Sequence, residues 1–243
     1  MEENLKSNLI GQRDIRLEKL NQLKKLGVNP YPAKSHKEYQ NKEVLDNFDK
    51  YEGKEVCLAG RITAWREHGK LIFGDIRDQT GDIQVMIRIN ELEEDKEKGF
   101  LSSENINLLD LADFIEVYGV VGKTKTGQIS IMAKNIRLLT KSLRPIPRKL
   151  KNKEQMFRRR YLDLIINPER VRMFERKAKF WQVQREFLEK EGFMEVEVPV
   201  LEAVTGGADA APFTTHHNAL DQDFYLRIST ELYQKRLIGA GYE

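Results

Sequence analysis

The chain has 243 residues, which at about 150 residues per domain suggests two compact units. With 40% hydrophobic and 33% charged side chains it is a globular protein and not a disordered one. No stretch approaches the roughly 20 apolar residues that span a bilayer, and the start MEENLKSNLIGQRD has no apolar signal core, so a cytoplasmic protein without membrane contact is expected. Cys57 is the only cysteine, which excludes an internal disulfide and a thiolate metal cluster within one chain.

Residues 8–27 carry Ile10, Leu17, Leu20 and Leu23 between charges, the pattern of an amphipathic helix, and Gly27, Pro30 and Pro32 stop it. After a polar stretch, EVCLAGRITAW places Val56, Leu58, Gly60, Ile62 and Ala64 on one parity, with Cys57, Arg61, Thr63 and Trp65 on the other. This is a half-buried strand. In LIFGDIRD, Ile72, Gly74 and Ile76 alternate with Leu71, Phe73 and Asp75, and in DIQVMIRI, Ile83, Val85, Ile87 and Ile89 alternate with Gln84, Met86 and Arg88. The acidic ELEEDKEKG is a loop, SENINLLDLAD a short helix, and DFIEVYGVVGK and GQISIMAKNIRLL two more strands. Three strands, a helix and two strands within about 90 residues predict a five-stranded Greek-key barrel of the OB type.

Lys and Arg outnumber Asp and Glu by only 41 to 38, but their distribution is uneven. Between Lys141 and Arg160, nine basic residues (Lys141, Arg144, Arg148, Lys149, Lys151, Lys153, Arg158, Arg159 and Arg160) stand against Glu154 alone. Such a run suits a phosphate backbone and equally a solvated linker, and Pro145 and Pro147 mark a boundary in either case. Beyond it, Asn167 and Pro168 open a helix that runs to Gly192. Val171, Phe174, Ala178, Trp181 and Leu188 form one apolar stripe on it, with Met173, Phe180 and Phe187 beside them, a face wide enough to need cover. MEVEVPVLE reads as an edge strand because Pro199 lacks a ladder donor; a loop with Gly206 and Gly207, a strand DFYLRIS and a helix TELYQKRLIGAG follow. His216 and His217 are adjacent and cannot readily aim both rings at one ion, so no metal site is expected there.

The string RRRYLDLIINPERVRMFERKAKFWQVQREFLEKEGFMEVEVPVL resembles the opening of the catalytic domain of class II aminoacyl-tRNA synthetases, including their motif 1. TGGADAAPFTTHHNALDQDFYLRISTELYQKRL is similar to the lysine-specific branch, the lysyl-tRNA synthetases, and not to the aspartyl or asparaginyl relatives, which share RYLDL. The resemblance extends over LGVNPYP, LAGRITAWREHGKLIFGDIRDQTGDIQVM and KTKTGQISI, nearly the whole chain.

It implies an α+β protein: a helical extension at 1–52, an anticodon-binding OB barrel at 53–140, a basic linker at 141–160, and at 161–243 the start of an antiparallel-sheet catalytic domain. It also implies a ligase that uses ATP and Mg²⁺ to activate L-lysine and charge tRNA-Lys, working as a homodimer through motif 1. The anticodon role falls on Arg61, Phe73 and Gln84, and the α-ammonium of lysine on Gly207 and Glu231. From the residues alone, Phe73 serves equally as a packing residue and Glu231 as an ordinary first-turn acid. The ATP-binding arginines of motifs 2 and 3 and the acidic metal ligands have no counterparts in this sequence, so no catalytic residue is assigned and the chain is expected to be an N-terminal piece. A free-standing tRNA-binding module is the alternative.

Overall fold

The computed structural model describes residues 2–95, 97–147, 149–150 and 152–242, with side chains from Gly11 onward. Arg148 and Lys151 of the basic run, and the Ile10 side chain, lie outside the described residues. Contacts divide the chain into two units, 1–167 and 168–243.

The first unit opens with α1 (Glu2–Lys25), of which Leu20 and Leu23 are buried. The polar stretch after it holds two short helices not legible in the sequence, α2 (Asn41–Asp46) and α3 (Phe48–Tyr51), which put Val44, Phe48 and Tyr51 into the core. Strands β1 (Glu55–His68), β2 (Leu71–Arg77), β3 (Asp82–Arg88), β4 (Phe114–Lys123) and β5 (Ile129–Thr140) close a barrel in the order β1-β2-β3-β5-β4. Its one parallel pairing joins β3 to β5. Alternation drives the closure: Leu58, Ile62, Ile72, Ile76, Ile83, Val85, Ile87, Ile115, Val117 and Ile131 face one interior and are essentially inaccessible to solvent.

Two expectations about the barrel are corrected. The segment SENINLLDLAD forms a 3-10 turn, Ile106–Leu108, in place of a short helix, because Leu108, Leu109 and the carboxylates of Asp110 and Asp113 are drawn inward to packing and to Lys141. In β1 a bulge between Ile62 and Ala64 exchanges the two faces. Ala64 therefore pairs with Asp75 on the outside, while Trp65 pairs with Gly74 and packs on the core. A Cβ on Gly74 would sit 3.0 Å from the indole, so the glycine makes room for Trp65.

Asp78 ties the β2–β3 turn to α2. Its carboxylate accepts from Lys37 Nζ (2.6 Å), the Asn41 N–H (2.9 Å), and the Thr80 N–H and hydroxyl (2.7 and 2.6 Å). Burial alone would raise its pKa, but these donors outweigh burial and hold it at about 2. A depressed pKa means stability that is complete above about pH 4, the unfolded carboxylate's range, and lost as pH falls through about 2. Asp78→Asn should accordingly be less stable than the parent at neutral pH, and urea melts should show that deficit shrinking between about pH 4 and pH 2.

The basic segment leads to α4 (Lys153–Arg158) and α5 (Arg160–Ile166). Asn167 does not cap the next helix. Its side-chain amide donates to Asp163 at 2.9 Å, closing α5, and the second unit starts with a 3-10 turn at Pro168–Arg170. Helix α6 (Val171–Lys190) follows, and Gly192 (φ 89°) stands just beyond its C-cap. Its apolar face is exposed, with Phe180 at 61% and Phe187 at 60% of full accessibility. The unit continues with β6 (Leu201–Glu202), β7 (Thr214–His217), β8 (Gln222–Leu226) and α7 (Glu231–Gly239), the strands forming an antiparallel sheet in the order β6-β8-β7. The expected strand MEVEVPVLE is reduced to Leu201–Glu202. Pro199 has no N–H to offer, and the preceding segment is held instead by the Arg227 guanidinium, which donates to the carbonyls of Val198 (2.7 Å) and Pro199 (2.9 Å).

Candidate nucleic-acid interface

The outer face of β1, β2 and β3 presents its side chains in rungs. One rung runs Arg66, Phe73, Met86, and the next runs Ala64, Asp75, Gln84. Phe73 is half-buried, and its ring meets His68 edge-on at 6.3 Å, which leaves it available to stack on an unpaired base. Gln84 lies one rung away on the neighbouring strand, and its Oε1 accepts from the Ser130 hydroxyl at 2.8 Å. With the carbonyl oxygen so engaged, the amide NH₂ is the group offered outward, a donor for the acceptor oxygens of a base edge.

Arg61 shares this outer face, on the rung of Arg77, but its guanidinium is engaged elsewhere. It lies over the Phe114 ring at 4.3 Å and donates to the Ala112 carbonyl at 3.3 Å, and burial lowers its pKa from the ordinary arginine value. The arginine directly opposite Phe73 is Arg66, held 3.2 Å from Asp75. Strict alternation hides Arg66, because it assigns Arg61 and Arg66 to opposite faces; the bulge after Ile62 brings both outward. The structure thus brings Phe73 and Gln84 together with Arg66, and sets Arg61 at the edge of the same surface.

At the junction with the basic segment, Lys141 is fully buried and donates to the Leu108 carbonyl, Asp110 and Asp113. Lys19 of α1 bonds Asp110 at 2.8 Å, and Arg16 donates to the Ser142 carbonyl at 2.9 Å. The start of the cationic run is therefore anchored to the barrel and to α1.

In the second unit, Gly207 and Glu231 are brought together. Gly207 has φ 84°, and a Cβ on it would lie 3.2 Å from the Cβ of Glu231 and from the Ser229 side chain, so its backbone abuts the start of α7 as only glycine can. The Glu231 N–H donates to the Ser229 hydroxyl at 3.1 Å, and its carboxylate is paired with Lys235 one turn on. A backbone and a carboxylate side by side can together hold an ammonium group, which offers three donors and no acceptor. His216 bonds Asp223 across the β7–β8 pair at 2.8 Å, and among the described residues no three His, Cys, Asp or Glu side chains converge as metal ligands would.

Comparison with known proteins matches both units. Residues 56–139 fit the family of OB-fold nucleic acid binding domains, and residues 152–243 fit the tRNA synthetases class II (D, K and N). Three relatives, each named lysine–tRNA ligase, are 46% identical (Carboxydothermus hydrogenoformans), 44% identical (Pelotomaculum thermopropionicum) and 44% identical (Clostridium novyi) over 232 residues. These alignments take in 94% of this chain but 46%, 45% and 44% of the relatives, so the chain spans about half the length of the proteins it matches. An OB-fold nucleic acid binding segment followed by a class II tRNA synthetase (D, K and N) segment, with 44–46% identity to these lysine–tRNA ligases along 94% of its length, is what this chain shares with them.

Proposed function

We propose that this chain is the tRNA-reading and amino-acid-holding part of a lysine–tRNA ligase, which uses ATP to activate L-lysine as the adenylate and transfers it to the 3′ end of tRNA-Lys in the cytoplasm. The observation that carries the reading is the outer face of the barrel. An aromatic ring, an amide whose NH₂ has no partner among the described residues and an arginine stand on adjoining rungs at Phe73, Gln84 and Arg66, matching what an unstacked anticodon base offers: a π-face, acceptor oxygens and nearby phosphate. Arg61 borders that surface and would meet a flanking nucleotide. In the second unit Gly207 and Glu231 receive the α-ammonium of lysine, displacing Lys235 from the carboxylate.

ATP and Mg²⁺ supply the phosphoryl chemistry in such a ligase. The residues placed here, Phe73, Gln84, Arg66, Gly207 and Glu231, would bind and orient the substrates. The exposed apolar face of α6, with Phe180, Trp181 and Phe187, is suited to a twofold contact with a second copy, and a homodimer follows from this reading.

The test is binding of tRNA-Lys to the 243-residue chain, measured by filter retention at two salt concentrations against a tRNA of different anticodon. Preferential retention of tRNA-Lys, with affinity falling as salt rises because phosphate contacts release counterions, is expected. Equal affinity for both tRNAs would refute anticodon reading by the barrel.

A further inference from the structure

The wall of the barrel formed by the start of β1 with β4 and β5 carries a second site. A cavity of about 740 Å³ opens there, within the range of small-molecule sites and far larger than a single ion needs. It lies entirely within the first unit, on strands other than those that present Phe73 and Gln84. Its lining includes His36, Phe100, Tyr118 and Arg137, with Lys98 and Lys134 beside them.

Charge and hydrogen bonding single out Arg137. Its side chain is 15% exposed, and only one guanidinium nitrogen is used: Nη1 is 2.9 Å from His36 Nδ1 and 3.4 Å from Glu116 Oε1. Nε and Nη2 have no partner among the described residues.

Glu116, the carboxylate beneath, is already satisfied. It accepts from the Tyr118 hydroxyl (2.6 Å), the Ser35 hydroxyl (2.8 Å) and the His36 N–H (2.7 Å), and it meets Arg137 only through Nη1, leaving the other two guanidinium nitrogens to the cavity. The other acids of the wall are also committed or open to water. Glu55 pairs with Lys134, Glu38 accepts the Cys57 N–H at 3.3 Å, and Glu97 is exposed. A largely buried guanidinium with two adjacent nitrogens free is the fork that binds a carboxylate or a phosphate through two parallel hydrogen bonds. Phe100 and Tyr118, edge to face at 5.0 Å, give the same cavity an apolar wall for a ring.

We propose that this cavity binds a small organic oxyanion, its carboxylate or phosphate on Arg137 and its ring against Phe100 and Tyr118. The bound anion leaves the ion pair of Lys134 with Glu55 intact and takes added attraction from Lys98, whose partner Asp95 lies 3.2 Å away.

Phenyl phosphate and benzoate, with inorganic phosphate and acetate as ring-free controls, are the probes. Each is titrated into the ¹⁵N-labelled 243-residue chain. The expected result is saturable movement of the Arg137 Nε–H, Gly99 and Phe100 signals, stronger for the ring-bearing anions. Whichever of phenyl phosphate and benzoate binds more tightly identifies the oxyanion. Arg137→Lys keeps the charge but loses the fork and should weaken binding about tenfold, while Lys42→Gln on α2, an exposed charge outside the cavity, should leave it unchanged. Absence of shifts at these three positions in the folded parent, or shifts confined to the basic segment 141–160, would overturn the proposal. So would equal affinity in a folded Arg137→Lys variant.

Discussion

Lys141→Met should lower the free energy of unfolding by about 3–5 kcal/mol, the usual cost of removing one partner from a buried ion pair. The ammonium is wholly buried and donates at 2.7 Å to the Leu108 carbonyl, at 2.5 Å to Asp110 and at 2.7 Å to Asp113. Asp110 keeps Lys19 when Lys141 is lost, so the deficit falls on Asp113, which is inaccessible to solvent and retains only the N–H groups of Asp110 and Ser142. Burial already raises the Asp113 pKa, and Lys141 opposes that rise. Without Lys141 the carboxyl should take up a proton more readily, so the variant's deficit should narrow as pH falls. Urea unfolding of parent and variant at two pH values measures both effects. Replacing Asp113 by Leu in the Lys141→Met background should recover much of the loss, since a buried ion pair exchanged for apolar side chains is often neutral. A deficit below about 1 kcal/mol at neutral pH would contradict the burial of this network.

Phe73→Ala should weaken binding of tRNA-Lys about 5- to 150-fold, because a base stacked on an aromatic side chain contributes roughly 1–3 kcal/mol. Phe73 lies on the outer face, packs edge-on against His68, and is not one of the side chains that fill the barrel. Its removal should therefore leave the melting temperature nearly unchanged. Phe73→Leu supplies the control: apolar bulk without a π-system should recover little affinity if stacking is the interaction. Fluorescence anisotropy with a labelled anticodon stem-loop reads the effect directly. Unchanged affinity in a folded Phe73→Ala variant would remove the ring from the interface.

Much of this architecture is written in local patterns. Period-two alternation in 71–77 and 82–88 identifies both strands and the face on which Phe73 and Gln84 lie. The helical periodicity of 171–190 and the glycine at 192 locate α6. Other features depend on partners distant in sequence. The two short helices in 41–51 carry little pattern of their own and form because Val44, Phe48 and Tyr51 join the hydrophobic core while Asp78 receives the Asn41 N–H. The 194–202 segment alternates like a strand, yet most of it forms no ladder, since Pro199 lacks a donor and Arg227 takes its carbonyls.

By itself the sequence determined the five barrel strands, the helices α1, α6 and α7, and the family resemblance. These follow from side-chain periodicity, backbone preference and motif, all local properties of the chain. Tertiary structure decided which arginine stands beside Phe73. A single inserted residue at the β1 bulge reverses every side chain after it, and bulge position is set by pairing with β2 rather than by β1 alone. Tertiary structure also decided that Lys141, the first charge of a run that reads as solvated, is buried between two aspartates. Its position depends on Asp110 and Asp113, about thirty residues earlier, being folded back against it, and no local pattern encodes a contact at that separation.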